Sequence, residues 1–135
     1  MRGKSESKHK IVLFIDDELP WLEAVRMAVA EEPFDVILAE SGERALEQLR
    51  RRKPDLILSD VRMPFMNGFD LFEKVRSDPR LKSIPYVFMS SIDDFDAKRT
   101  AREIGADGYV EKPLDSDDVK RIVLDLLTQF NNKKT

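Results

Sequence analysis

"IVLFIDDE", residues 11–18, is the stretch on which the fold turns. Five consecutive apolar residues, 11–15, run straight into three acids, Asp16, Asp17 and Glu18. A strand with one wet face would alternate, whereas an unbroken apolar run of this length suits a strand covered on both faces, as in a parallel sheet. Runs of the same kind return at 36–39, 56–58, 86–89 and 109–110. Each is followed by a helical pattern. Residues 20–32 set Leu22, Val25 and Val29 on one stripe, with Pro20 suited to a first turn. Ser41 is the expected N-cap of a second helix with Ala45, Leu46 and Leu49 inward. That helix ends in Arg50, Arg51, Arg52 and Lys53, cations that complement a helix C-terminus better than they make a nucleic-acid patch.

A third helix is expected over roughly 68–76, with Leu71, Phe72 and Val75 inward. A fourth spans roughly 94–104, with Ala97, Ala101 and Ile104 inward and Gly105 near its end. The fifth is the most regular. It carries Val119, Ile122, Val123, Leu126, Leu127 and Phe130, with Asp115 or Ser116 as cap. This βα alternation predicts an α/β, doubly wound, five-stranded parallel sheet of order 2-1-3-4-5, with helices on both faces and right-handed crossovers.

The chain has 135 residues, 41% apolar and 36% charged, which suits one globular domain. It has no cysteine, so disulfides, zinc-thiolate sites and thiol nucleophiles are excluded. No apolar stretch reaches the length of a membrane span, and the start of the chain lacks a signal-peptide core. The net charge of −3 is uneven: residues 1–10 contribute +3, leaving −6 for the rest. An acidic body argues against nucleic-acid binding by the folded part. Residues 1–10 read as a disordered basic arm in which His9 is solvated, 11–130 as the domain, and 131–135 as a tail. The short tail favours a stand-alone protein over a piece of a longer regulator.

Ligands of such sheets bind beyond the carboxyl ends of the strands, where the strand order reverses. That edge would gather Asp16 and Asp17 from strand one, Asp60 from strand three, Ser90 from strand four and Lys112 from strand five. Three carboxylates in one small site require a counter-charge, and a hard divalent cation with phosphate supplies one. Asp60 could then act as a nucleophile toward phosphorus, with Lys112 and the Ser90 hydroxyl as donors to the phosphoryl oxygens. Each feature alone is an ordinary turn, cap or strand end; their joint placement carries the functional reading.

The motifs "FIDDE" (14–18), "DLILSDVRMPFMNG" (55–68), "IPYVFMSS" (84–91) and "GADGYVEKPLD" (105–115) resemble the receiver domain of two-component response regulators, the chemotaxis-regulator-like, flavodoxin-like fold. The likeness covers about 11–130. It implies that Asp60 accepts a phosphoryl group and that Asp16 and Asp17 hold Mg²⁺ or Mn²⁺, Asp17 directly and Asp16 partly through water. The Arg62 backbone carbonyl would complete the metal's protein ligands. Lys112 would bridge the phosphoryl group next to a cis bond at Pro113. Ser90 and Tyr109 would form the switch pair, while Arg62 and Ile92 would tune the phosphoryl lifetime. Asn67 stands where many members carry Asp and is expected to be a loop position without function.

The resemblance further implies a cytoplasmic switch rather than an enzyme with an external substrate. Its partners would be a histidine kinase or phosphotransfer protein and a downstream protein or output domain, with room for a phosphorylation-dependent homodimer. Other classes fit less well. A haloacid-dehalogenase-type phosphohydrolase would need a second Asp two residues past its nucleophile, where Glu18 follows Asp16. A flavodoxin-like FMN binder would need a phosphate loop where this chain carries acids. A degenerate receiver acting as a phosphorylation-independent interaction module would lack part of the pocket.

Overall fold

A computed structural model describes residues 9–112 and 115–133. Five strands and five helices alternate: β1 (Lys10–Ile15), α1 (Leu19–Ala28), β2 (Phe34–Ala39), α2 (Gly42–Arg51), β3 (Leu56–Asp60), α3 (Gly68–Ser77), β4 (Tyr86–Ser91), α4 (Phe95–Glu103), β5 (Gly108–Lys112) and α5 (Ser116–Lys133). The sheet is parallel throughout, in the order β2-β1-β3-β4-β5. The expected doubly wound, flavodoxin-like arrangement is the one observed.

Hydrophobic cover explains the layers. Leu13, Ile15, Ile57, Tyr86 and Phe88 turn to one face, under Ala45 and Leu49 of α2, Leu71, Phe72 and Val75 of α3, and Ala97 and Ala101 of α4. Val12, Phe14, Leu56, Leu58, Val87 and Met89 turn to the other, under Leu22 and Val25 of α1 and Val119, Val123 and Phe130 of α5. Successive strand residues point to opposite faces, and burial on both is why the sequence runs look continuous.

The helix ends follow local chemistry. Ser41 Oγ accepts from Arg44 N–H, Asp94 from Ala97 N–H, and Asp115 from Asp118 N–H. Gly105, at φ +85, carries the chain out of α4. Asn67, expected to have no function, has a structural one. It forms a capping box with Asp70, accepting from Asp70 N–H while the Asp70 carboxylate takes the Asn67 N–H.

Four expectations need correction. The first helix stops at Ala28 rather than running to residue 32; Val29 is its C-cap, and Pro33 disfavours helix in the residue before it. Ile104 does not face the core: it is the C-cap of α4 and 39% exposed. Lys10 opens β1 instead of closing an arm, and α5 continues past Phe130 to Lys133. His9 is exposed, with Nδ1 3.4 Å from Asp35 Oδ1. Residues 1–8, the cis bond expected at Pro113, and 134–135 of the expected tail lie outside the described residues.

Candidate functional site

Strand register assembles the site. Ile15 pairs with Ser59, so Asp16 and Asp60 leave adjacent strands side by side. Asp60 pairs with Met89, bringing Ser90 alongside, and Ser91 pairs with Lys112. The ends of four strands therefore deliver three acids, one serine and one lysine to the same edge. Carboxylate oxygens of Asp16, Asp17 and Asp60 lie within 4.8 Å of one another. This all-oxygen set is the ligand chemistry of a hard divalent cation.

Asp16 is fully buried. Its Oδ2 accepts from Lys112 Nζ at 2.7 Å and its Oδ1 from Glu18 N–H at 2.9 Å. Lys112 Nζ also lies 3.7 Å from Asp60 Oδ1 and 3.7 Å from Glu18 Oε1. Glu18, the N-cap of α1, therefore belongs to the rim of the site as well as to the helix start. Burial opposes the charge on Lys112, but the Asp16 hydrogen bond and the charges of Asp16, Asp60 and Glu18 outweigh it and raise its pKa. The lysine is the internal counter-charge of the cluster.

It does not satisfy all of it. Asp60 is 7% exposed, and burial, followed by the Asp16 charge, pushes its pKa up to about 7. Lys112 pulls the value down, Asp17 raises it, and the Val61 N–H lowers it. Lys112 alone does not balance the cluster, and the Asp60 carboxyl holds its proton far above the usual carboxylate range. A divalent cation would displace that proton.

The other expected residues divide into two groups. The Ser90 hydroxyl, buried, donates to Asp94 Oδ2 at 2.6 Å. Arg62 turns its guanidinium to the same carboxylate, with Nε 2.9 Å from Oδ2 and Nη2 2.7 Å from Oδ1. Tyr109 leans against the core beneath α4, and its hydroxyl is buried without a hydrogen-bond partner among the described residues. Ile92 is 62% exposed.

Two residues at the site escaped sequence reasoning. Asp94 was visible only as a candidate helix start; its pairing with Arg62 spans 32 positions and is a tertiary fact. Trp21, the sole tryptophan, offers its ring to Lys112 Nζ at 5.1 Å and meets Phe14 edge-on. A single large aromatic one helical turn after an acidic cluster was the available signal for it.

The model of the response regulator receiver domain matches residues 12–124. Two-component response regulator ORR3 of Oryza sativa subsp. indica is 36% identical over 112 residues, 82% of this chain and 86% of that protein. Among solved structures, chemotaxis response regulator CheY4 of Vibrio cholerae superposes with a TM-score of 0.78 at 25% identity, covering 87% of this chain and 98% of that one. The phosphorylated cyanobacterial phytochrome response regulator RcpA does so with a TM-score of 0.75 at 26% identity, covering 87% and 91%. The chain spans about half the length of the first curated relatives it matches.

Proposed function

The chain belongs to the response regulator receiver domain family, whose members are phosphoacceptor switches rather than enzymes with external substrates, and from that premise we propose that Asp60 receives a phosphoryl group from a histidine kinase or phosphotransfer protein. The observation that carries the reading is the convergence of Asp16, Asp17 and Asp60 within 4.8 Å, with Lys112 against them. A carboxylate oxygen of Asp60 attacks phosphorus, the bond from phosphorus to the donor's nitrogen or acyl oxygen breaks, and the donor leaves with its electron pair. Asp16, Asp17 and Asp60, with the Arg62 backbone carbonyl, would hold Mg²⁺ or Mn²⁺. When bound, that ion neutralises the phosphoryl oxygens as charge gathers on them. Lys112 donates to one phosphoryl oxygen and the Ser90 hydroxyl to another.

Movement of Ser90 toward the phosphoryl group opens room for Tyr109, which borders a hollow of about 190 Å³ between α4 and β5, lined by Lys98, Ala101, Arg102, Ala106 and Gly108. The α4–β5–α5 face then changes its affinity for a downstream protein or output domain. A cytoplasmic setting fits this role; no helix among the described residues is long and apolar enough to cross a membrane.

Acetyl phosphate with Mg²⁺ should add one phosphoryl group, detected by intact mass. EDTA or Asp60→Asn should remove the signal. Labelling that survives Asp60→Asn would overturn the acceptor assignment, and a chain that takes no label under any condition would be an interaction module only.

The lifetime of the phosphorylated protein follows from its neighbours. Arg62 is occupied by Asp94, and Ile92 offers no polar atom, so neither orients an attacking water. Slow autodephosphorylation is expected, and Ile92→Glu should shorten the lifetime by about tenfold or more by supplying a general base. Decay within seconds, indifferent to substitutions at 62 and 92, would sink this expectation.

A further inference from the structure

The Ser90 hydroxyl is already committed. It donates to Asp94 Oδ2 at 2.6 Å, a short charge-assisted bond made by a side chain shielded from water. The same carboxylate is gripped by Arg62 through two parallel N–H donors and accepts from Ala97 N–H at 3.3 Å at the start of α4. The Arg62 hydrogen bond, ahead of the Ser90 hydroxyl, holds the Asp94 carboxyl well below the usual carboxylate range, so it stays an acceptor. Asp94 thus ties together the segment two residues past Asp60, the end of β4 and the first turn of α4. A serine hydroxyl carries one proton. Donation to Asp94 and donation to a phosphoryl oxygen on Asp60 exclude each other.

We propose that Asp94 is a positioning residue that latches the Ser90 hydroxyl in the unphosphorylated arrangement, with Arg62 clamping the latch, and so sets the threshold of the switch. The proposal rests on the reading of Asp60 as acceptor and Ser90 as switch donor. Phosphorylation must take the Ser90 proton away from Asp94, and the apparent affinity for a phosphoryl group falls in proportion to the latched population. Because Asp94 also caps α4, opening the latch loosens one of the contacts that seat that helix. Arg62, two positions past the acceptor, is the clamp: its guanidinium fixes the carboxylate that holds the Ser90 hydroxyl.

Beryllofluoride with Mg²⁺, a phosphoryl mimic, tests the latch by calorimetric titration of the wild-type chain, Asp94→Asn, Ser90→Ala and the double variant. Asn remains a good N-cap but loses the charge that holds Ser90 and Arg62. Asp94→Asn should tighten beryllofluoride binding by about fivefold, the difference between a charged and a neutral hydrogen bond. Asp94→Ser, a second cap without a carboxylate, should act in the same direction. In the Ser90→Ala background, Asp94→Asn should change nothing, because no hydroxyl is left to release. A general loosening of α4 would act in both backgrounds alike, and that result would overturn the proposal. So would equal or weaker binding by Asp94→Asn. Wild-type protein that binds no beryllofluoride would remove the acceptor reading itself, a different failure that takes the latch with it.

Discussion

Asp60→Asn is expected to stabilise the metal-free protein by about 2 kcal/mol at pH 8 and to lose that advantage in acid. The carboxyl is almost wholly buried, and burial followed by the Asp16 charge moves its pKa from 3.8 to about 7. The folded chain therefore holds this proton more tightly than the unfolded chain does. The stabilising contribution is complete below pH 3.8 and is lost as pH rises through about 7. A shift of this size corresponds to about 4 kcal/mol at full ionisation. Roughly half should be recovered by the substitution, because Asn leaves its own amide to be hydrogen-bonded in the same buried place. Urea unfolding at pH 8 and pH 4 without divalent ions is the measurement. The variant should be the more stable at pH 8, and the two proteins should converge at pH 4. Saturating Mg²⁺ should narrow the pH 8 gap, since an ion held by native carboxylates stabilises only the parent fold. A gap that ignores both pH and Mg²⁺ would show that Asp60 carries no electrostatic strain.

That strain was legible in outline. The acids of "FIDDE" stood at the end of an apolar run, and the topology implied by five such runs put Asp60 beside them. What the linear pattern missed was the internal answer to the charge. Lys112 reaches Asp16 at 2.7 Å across 96 positions of chain, so the cluster is partly neutralised before any cation arrives. The strand ends were also harder to read than the strand middles. β5 reads as apolar only at 109–110 because Glu111 and Lys112 are polar: Lys112 ends the strand in the site, and Glu111 meets Lys98 of α4. β3 likewise continues through Ser59 to Asp60. Apolar periodicity marks where a strand is buried in the core, and it fades where a strand's last residues turn to chemistry. Ile104 failed for a related reason: it keeps helical spacing with Ala97 and Ala101, but the helix has ended by then and the side chain turns outward. Asp94 could be seen as the start of a helix but not as the common acceptor of Ser90 and Arg62, since nothing local predicts which distant side chains converge on one carboxylate.

Gly68→Ala should cost about 2–3 kcal/mol and weaken the metal site with it, although helix propensity alone favours Ala at a helical position by about 1 kcal/mol. Gly68 opens α3 where the helix passes closest to the end of β3. Its N–H donates to the Val61 carbonyl at 2.9 Å, and its own carbonyl accepts from the Tyr86 hydroxyl at 3.0 Å. A methyl group there would be driven into the Asp60 carbonyl and would lie 3.1 Å from Val61 Cα. Both obstacles are backbone, so no side chain can swing aside. Either α3 lifts away, breaking the Gly68–Val61 bond, or the end of β3 yields and carries the Asp60 carboxylate out of register with Asp16 and Asp17. Gly105→Ala is the informative comparison. Its added methyl meets nothing within 4 Å, and only the φ of +85 is unfavourable, so about 1 kcal/mol of stability should be lost with Mg²⁺ affinity intact. Thermal melts and Mg²⁺ titrations of the two variants separate the causes. Loss of both properties in Gly68→Ala and of stability alone in Gly105→Ala would place the tight α3–β3 contact under the acceptor. Wild-type melting and Mg²⁺ binding by Gly68→Ala would mean that the acceptor's position does not depend on that contact.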